Sequence, residues 1–184
     1  MHCPKDKNVD LVEAVVAEEL PERHCPDCEG NWISATDYQS WQERQPQVDS
    51  GAMPKTLDLQ YARSPLDTRG ALCPECSAYL ARAKVELKTP FYIERCVKCG
   101  GIWCDRGEWE VLQELGLHTI VDQLFYSQWQ AKVRERHSAE RERQAIVDKL
   151  GEDLANRVFE LAELLETHPS GDFGVAYLMR RFDK

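Results

Sequence analysis

The chain has no apolar run of the about 18 residues that a bilayer-spanning helix takes, so no membrane span is expected. It has no surplus of positive charge either: the net charge is −9 over 184 residues. A protein that holds nucleic acid through phosphates wants a basic face. The balance therefore disfavours DNA or RNA as partner, although a local patch is compatible with it. The opening residues "MHCPKDKNVD" lack a charged segment followed by an apolar one. No signal peptide is expected, and the cytoplasm is the expected compartment. Catalytic signatures are missing: there is no G-x-S-x-G, G-x-x-x-x-G-K-[ST], H-E-x-x-H or G-x-G-x-x-G. This argues against an enzyme.

Cysteine is what the chain does have. The 8 cysteines stand at positions 3, 25, 28, 73, 76, 96, 99 and 104. All but Cys3 and Cys104 fall in C-x2-C pairs, which in a reducing compartment points to metal first and redox chemistry second. Cys73-x2-Cys76 and Cys96-x2-Cys99 are separated by the gap of a zinc ribbon. Two residues between cysteines let one tight turn aim both thiolates at one point, and a hairpin in the gap returns the second pair to the first. "YLARAKVELK" and "PFYIERC" are the expected strands, with Thr89 and Pro90 near the turn. A module of this size buries too little apolar surface to fold alone. Structural zinc contributes an apparent binding energy of about 10 kcal/mol.

The segment is also a repeat. Cys3 falls on Cys73, Cys25 on Cys96 and Cys28 on Cys99, with one residue of slack. Gly30 matches Gly101, Trp32 matches Trp103 and Asp37 matches Glu108. Special residues match, not just apolar character, so a small module has been duplicated. After Cys99, Gly100 and Gly101 permit the turn out of the knuckle. Asp105 and Glu108 then read as a capping box opening a helix through Trp109, Leu112 and Leu115. Ser34 and Asp37 repeat the box. Trp32 and Trp103 are expected in the core.

These residues resemble the transcription-factor-IIB-type zinc ribbon of many small bacterial proteins. The pattern C-P-x-C, then C-x-x-C-G-G-x-W-x-D-x-G-E and a helix, is met by Cys73, Cys76, Cys96, Cys99, Gly100, Gly101, Trp103, Asp105, Gly107 and Glu108. The likeness covers residues 73 to about 115, and a degenerate copy covers 3 to about 41. It implies contact with polymerase or nucleic acid, by analogy of fold only. Two departures stand out. The first copy has Asp6 where the pattern has its second cysteine, so Cys3, Asp6, Cys25 and Cys28 form one candidate zinc set. His2, His24 or water are the rivals for the fourth place. An open place is also what catalytic zinc has, so a zinc hydrolase stays among the alternatives. Cys104 replaces an apolar residue and reads as a small buried hydrophobe or as a redox-sensitive thiol.

The expected fold class is α+β: two zinc-ribbon modules, 1–41 and 73–116, a linker over 42–72, and a helical region over 117–184. The linker holds an extended piece around Leu57 to Tyr61. No glycine or proline interrupts Ile120 to Leu150, which predicts one long helix ending at Gly151, apolar at its ends and charged from Arg134 to Gln144. Its basic residues read as a solvated face rather than a nucleic-acid stripe. Helices over 152–167 and "GVAYLMRRF" follow, and a helical hairpin against the long helix is expected. The functional expectation is a non-enzymatic zinc protein that binds another protein, with a homodimer through the long helix as a further option. Direct nucleic-acid binding and zinc- or thiol-based chemistry are the alternatives.

Overall fold

The computed structural model describes residues 1–16, 19–46, 59 and 61–182. The described chain divides into two compact units, Met1–Arg134 and Glu135–Lys184. The expected boundaries after residues 41, 72 and 116 fall within the first unit.

Among the described residues, the first unit carries one antiparallel sheet of six strands. They are β1 (Val12–Val16), β2 (Leu20–His24), β3 (Asn31–Ile33), β4 (Leu80–Val85), β5 (Phe91–Cys96) and β6 (Ile102–Cys104). Their order is β1-β2-β3-β6-β5-β4. Each copy of the repeat makes a three-stranded meander, and the meanders join through their last strands. There Asn31 faces Cys104, Trp32 faces Trp103 and Ile33 faces Ile102. The two tryptophans thus sit opposite each other where the halves meet.

Alternation along these short strands sends side chains to two faces. Ile33, Ile102 and Cys104 enter one cluster, with Tyr38 and Trp41 of α1 (Ala35–Gln42) and Trp109, Leu112 and Leu115 of α2 (Glu108–Leu115). Trp41 and Trp109 meet edge-on at 5.7 Å. Trp32 and Trp103 enter the opposite cluster with Cys3, Cys25, Cys73 and Cys96. The halves therefore share cores on both faces of the sheet, each adding the apolar surface that a module of this size lacks alone.

The junction explains the paired glycines. A Cβ on Gly101 would lie 2.2 Å from the Trp32 ring, and one on Gly30 would lie 2.2 Å from the Trp103 ring. Each tryptophan lies over the glycine of the other half. Both rings are fully buried. Gly101→Ala is expected to lower stability by about 1–3 kcal/mol through overpacking. Thermal unfolding followed by near-ultraviolet circular dichroism measures this, and Trp32→Leu in the same chain should recover part of the loss.

The helix starts differ between the copies. In α1, Ser34 is the N-cap: its Oγ accepts the Asp37 amide N–H at 3.1 Å, as the capping box predicts. In α2 the N-cap is Gly107 at φ +77°, not Asp105. The Glu108 carboxylate does accept the Asp105 amide N–H at 2.7 Å. The Asp105 carboxylate, however, takes the Trp103 indole N–H at 2.7 Å, so the forward half of the box is lost to the tryptophan.

The expected linker is partly built into this unit. Ser64, Asp67 and Ala71 are buried, and Tyr61 packs on Phe91 at 5.1 Å. The extended piece expected over Leu57 to Tyr61 falls largely outside the described residues. The long helix is interrupted: a 3-10 turn spans Val121–Phe125, Tyr126 is extended, and α3 starts at Ser127 and runs to Leu150. The Gln130 amide donates to the carbonyls of Leu124 and Lys84, which fixes this corner against β4.

The second unit contains the later turns of α3, then α4 (Glu152–Thr167) and α5 (Gly171–Phe182). A Cβ on Gly171 would strike the Leu165 carbonyl of α4. α5 begins at Gly171, three residues before the expected stretch "GVAYLMRRF". The Arg143 guanidinium of α3 lies 3.8 Å over the Phe159 ring of α4. Arg136 and Glu140 form an i,i+4 pair at 3.1 Å.

Candidate metal centres

The four cysteines of the second copy converge. Their sulfurs all lie within 4.8 Å of one another, with Cys73–Cys99 at 3.5 Å and Cys76–Cys96 at 3.4 Å. A tetrahedron of zinc–sulfur bonds of ~2.3 Å spaces its sulfurs by about 3.8 Å, so the set fits zinc. A disulfide would need about 2.05 Å, and all eight cysteines are free thiols.

The knuckles that aim these sulfurs are backbone devices. The amides of Glu75 and Cys76 point at the Cys73 sulfur, each at 3.4 Å. The Cys99 amide points at Cys96 in the same way. Such N–H donors favour the thiolate form that a metal requires. Each turn closes by a bond back to the first cysteine's carbonyl, from Ser77 and from Gly100, both at 2.9 Å. Gly100 sits at φ +81°, where a side chain is strained.

In the first copy the structure brings together Cys3, Cys25 and Cys28 within the same 4.8 Å, with Cys3–Cys28 at 3.6 Å. This trio also fits zinc, with three of the four ligands. None of the expected fourth candidates joins the three sulfurs within that distance, and each makes a contact of its own through one of its two donor atoms. The Asp6 amide N–H points at the Cys3 sulfur at 3.3 Å, as a knuckle residue should, but its carboxylate accepts the Asn8 amide at 3.0 Å. His2 Nδ1 lies 3.0 Å from Asp10, and His24 Nδ1 lies 2.8 Å from the Asn31 side chain. The turn differs as well. The Cys3 amide bonds to Val9, six residues on, whereas the Cys73 amide bonds to Ala78, five residues on. The copy has lost a thiol and lengthened its loop.

Cys104 is fully buried in the core under the helices. Burial, with Glu108 and Glu22 nearby, pushes its thiol well above the usual range. A reactive thiol needs a depressed pKa and access, so this environment suits the buried-hydrophobe reading.

Sequence reasoning missed a buried charge cluster beside the metal face. The Lys5 ammonium, 1% exposed, lies 2.8 Å from the Glu94 carboxylate, itself 2% exposed, and donates to the Arg69 carbonyl at 2.7 Å. Burial pushes Glu94 up to about 7 against the pull of Lys5. Asp67, Asp105 and Glu108 bring buried carboxylates within 4.8 Å of one another. Arg63 and Arg82 pair with Asp67, and the Asp67 carboxylate accepts the Tyr92 amide at 2.9 Å. Burial and the neighbouring Asp105 hold Glu108 well above the carboxylate range. The one local signal was Glu94 itself, an acid inside the strand "FYIERC".

The family model of the transcription factor zinc-finger, a TFIIB-type zinc ribbon, matches residues 72–114. These are the residues of the four-cysteine centre, its hairpin and α2. No curated protein matches the chain, and no solved structure does.

Proposed function

We propose that this chain, a zinc ribbon over residues 72–114 with a second cysteine centre beside it, is a non-enzymatic protein-interaction module. The observation that carries the reading is the apolar surface of its helical unit. Leu161 and Leu164 on α4 and Phe173, Met179 and Phe182 on α5 are all exposed. Between the two helices lies a groove of 970 Å³ lined by Val158, Leu161, Leu165, Val175 and Met179. Isolated exposed apolar residues are ordinary, but a contiguous patch marks an interaction surface. The metal centres fit a scaffold role because their first cysteines are packed into the core. Likeness to transcription zinc fingers suggests the transcription machinery as the class of partner, by analogy.

The test compares tagged wild-type chain with Leu161→Glu/Met179→Glu, each purified from its native cell. A partner present with the wild type and reduced at least tenfold with the variant, at equal zinc content, is the expected result. An unchanged partner profile would remove this surface from the proposal. A direct nucleic-acid binder would instead show salt-sensitive anisotropy changes with labelled DNA or RNA.

A further inference from the structure

We infer that a second copy of this chain covers the groove between α4 and α5, the two helical hairpins closing a four-helix bundle. The inference rests on the groove being an interaction surface and names what occupies it.

The second unit lacks the means to hold itself together. Glu135–Lys184 contains no cysteine for a metal or a disulfide. Among its described residues only the small Ala155 and Gly171 are buried. A unit of this size is held by a core, a staple or a partner, and here the partner is what remains. Such a partner is permanent, because the fold of the unit depends on it. A second copy is supplied in equal amount wherever the chain is made, and two-fold pairs are the commonest soluble assembly.

The pattern of the face matches this occupant. On α4, Leu154, Val158, Leu161 and Leu165 follow one another at steps of four, three and four, and on α5 Gly171, Val175, Leu178 and Phe182 repeat those steps. This is the seam of a helical bundle, whose core takes four helices to close; one hairpin brings two. The seam lines the groove of 970 Å³, yet Leu154, Val158, Leu161, Val175, Met179 and Phe182 stay 40–83% exposed.

Area and charge agree. With ~200 Å² for a fully exposed large side chain, these six present roughly 600–700 Å² per chain, against about 800 Å² per partner in a standard interface. α4 and α5 together carry six acids and three arginines, which disfavours an anionic lipid surface or nucleic acid as the cover.

The test sediments zinc-loaded full-length chain across the micromolar range, made in an unrelated host so that no native partner is present. The expected mass is twice the 21.2 kDa of one chain. Leu161→Glu/Met179→Glu should give a monomer with weaker helical dichroism and unchanged zinc content. Phe173→Glu alters a side chain that is 76% exposed but two residues from Val175, on the opposite side of α5, and should stay dimeric. A monomeric wild type overturns the inference. So does a dimer that Leu161→Glu/Met179→Glu leaves whole, since the chains then pair elsewhere, and so does a monomeric Phe173→Glu. A wild type that is monomeric here, yet holds a different protein in its native cell and loses it with the double variant, overturns the second copy alone and leaves the interaction surface standing.

Discussion

Cys99→Ser is expected to unfold the first unit at room temperature. Removing one thiolate from the four-cysteine centre puts most of an apparent metal-binding energy of about 10 kcal/mol at risk. Total domain stability is of the order of 5–15 kcal/mol, so the loss is comparable with everything the unit has. The shared sheet decides how far the damage spreads. Cys96 ends β5, which pairs with β6, and β6 pairs with β3 of the other half. Releasing the second knuckle therefore loosens the strand that both cores depend on. Trp32, Trp41, Trp103 and Trp109 are all buried in this unit. A red shift of tryptophan emission and loss of the near-ultraviolet dichroism should accompany the loss of zinc. Cys28→Ser, at the centre with three cysteines, should lose one zinc at a smaller cost. A chelator should accordingly empty the first centre before the second, in two steps. Purified chain without zinc, or emission unmoved after complete chelation, would contradict this account.

The four-cysteine centre was legible because its information is local: two C-x2-C turns and a gap that fits a hairpin. The duplication was legible because glycine, tryptophan and acid recur beside the cysteines. The union of the halves was not. It is made by "NWI" and "IWC", strands of three residues, too short for any alternation to declare itself. The meaning of Gly30 and Gly101 was hidden for the same reason. Each makes room for the tryptophan of the opposite copy, and a pattern read within one copy takes both for turn residues. The corner at Tyr126 escaped because lack of glycine and proline permits a helix without requiring one. Asp105 was misplaced as a cap because the Trp103 indole competes for its carboxylate, a contact between side chains that spacing does not reveal. The exposed apolar faces of α4 and α5 were half legible: both helices were expected, but a helix reading cannot say whether its apolar face is covered.

Lys5→Met should destabilise the first unit by about 3–5 kcal/mol, the range for breaking a buried ion pair by removing one partner. Lys5 and Glu94 are 89 residues apart in sequence, one in the knuckle of the first copy and the other on β5 of the second. Glu94 faces Trp103 in the strand register, on the side of the sheet that carries the cysteines. The lysine thus ties the degenerate knuckle to the intact ribbon. Methionine keeps the apolar stem and removes the charge. It leaves Glu94 buried with only the longer contact to Arg82, at 3.4 Å, and frees the Arg69 carbonyl of its donor. Because the Lys5 amide also points at the Cys3 sulfur, zinc content must be measured with stability; the backbone donor survives the substitution, so zinc should remain. Glu94→Gln alone should cost less, since the amide oxygen can still accept from the Lys5 ammonium and the Asp105 carboxylate stays 3.8 Å from that ammonium. The double variant should be more stable than Lys5→Met, because the uncompensated carboxylate is then gone. Urea unfolding of the four zinc-loaded chains completes the cycle. A coupling energy near zero would mean that the two side chains stabilise the unit independently, and that the halves are held by the tryptophan seam and the sheet alone.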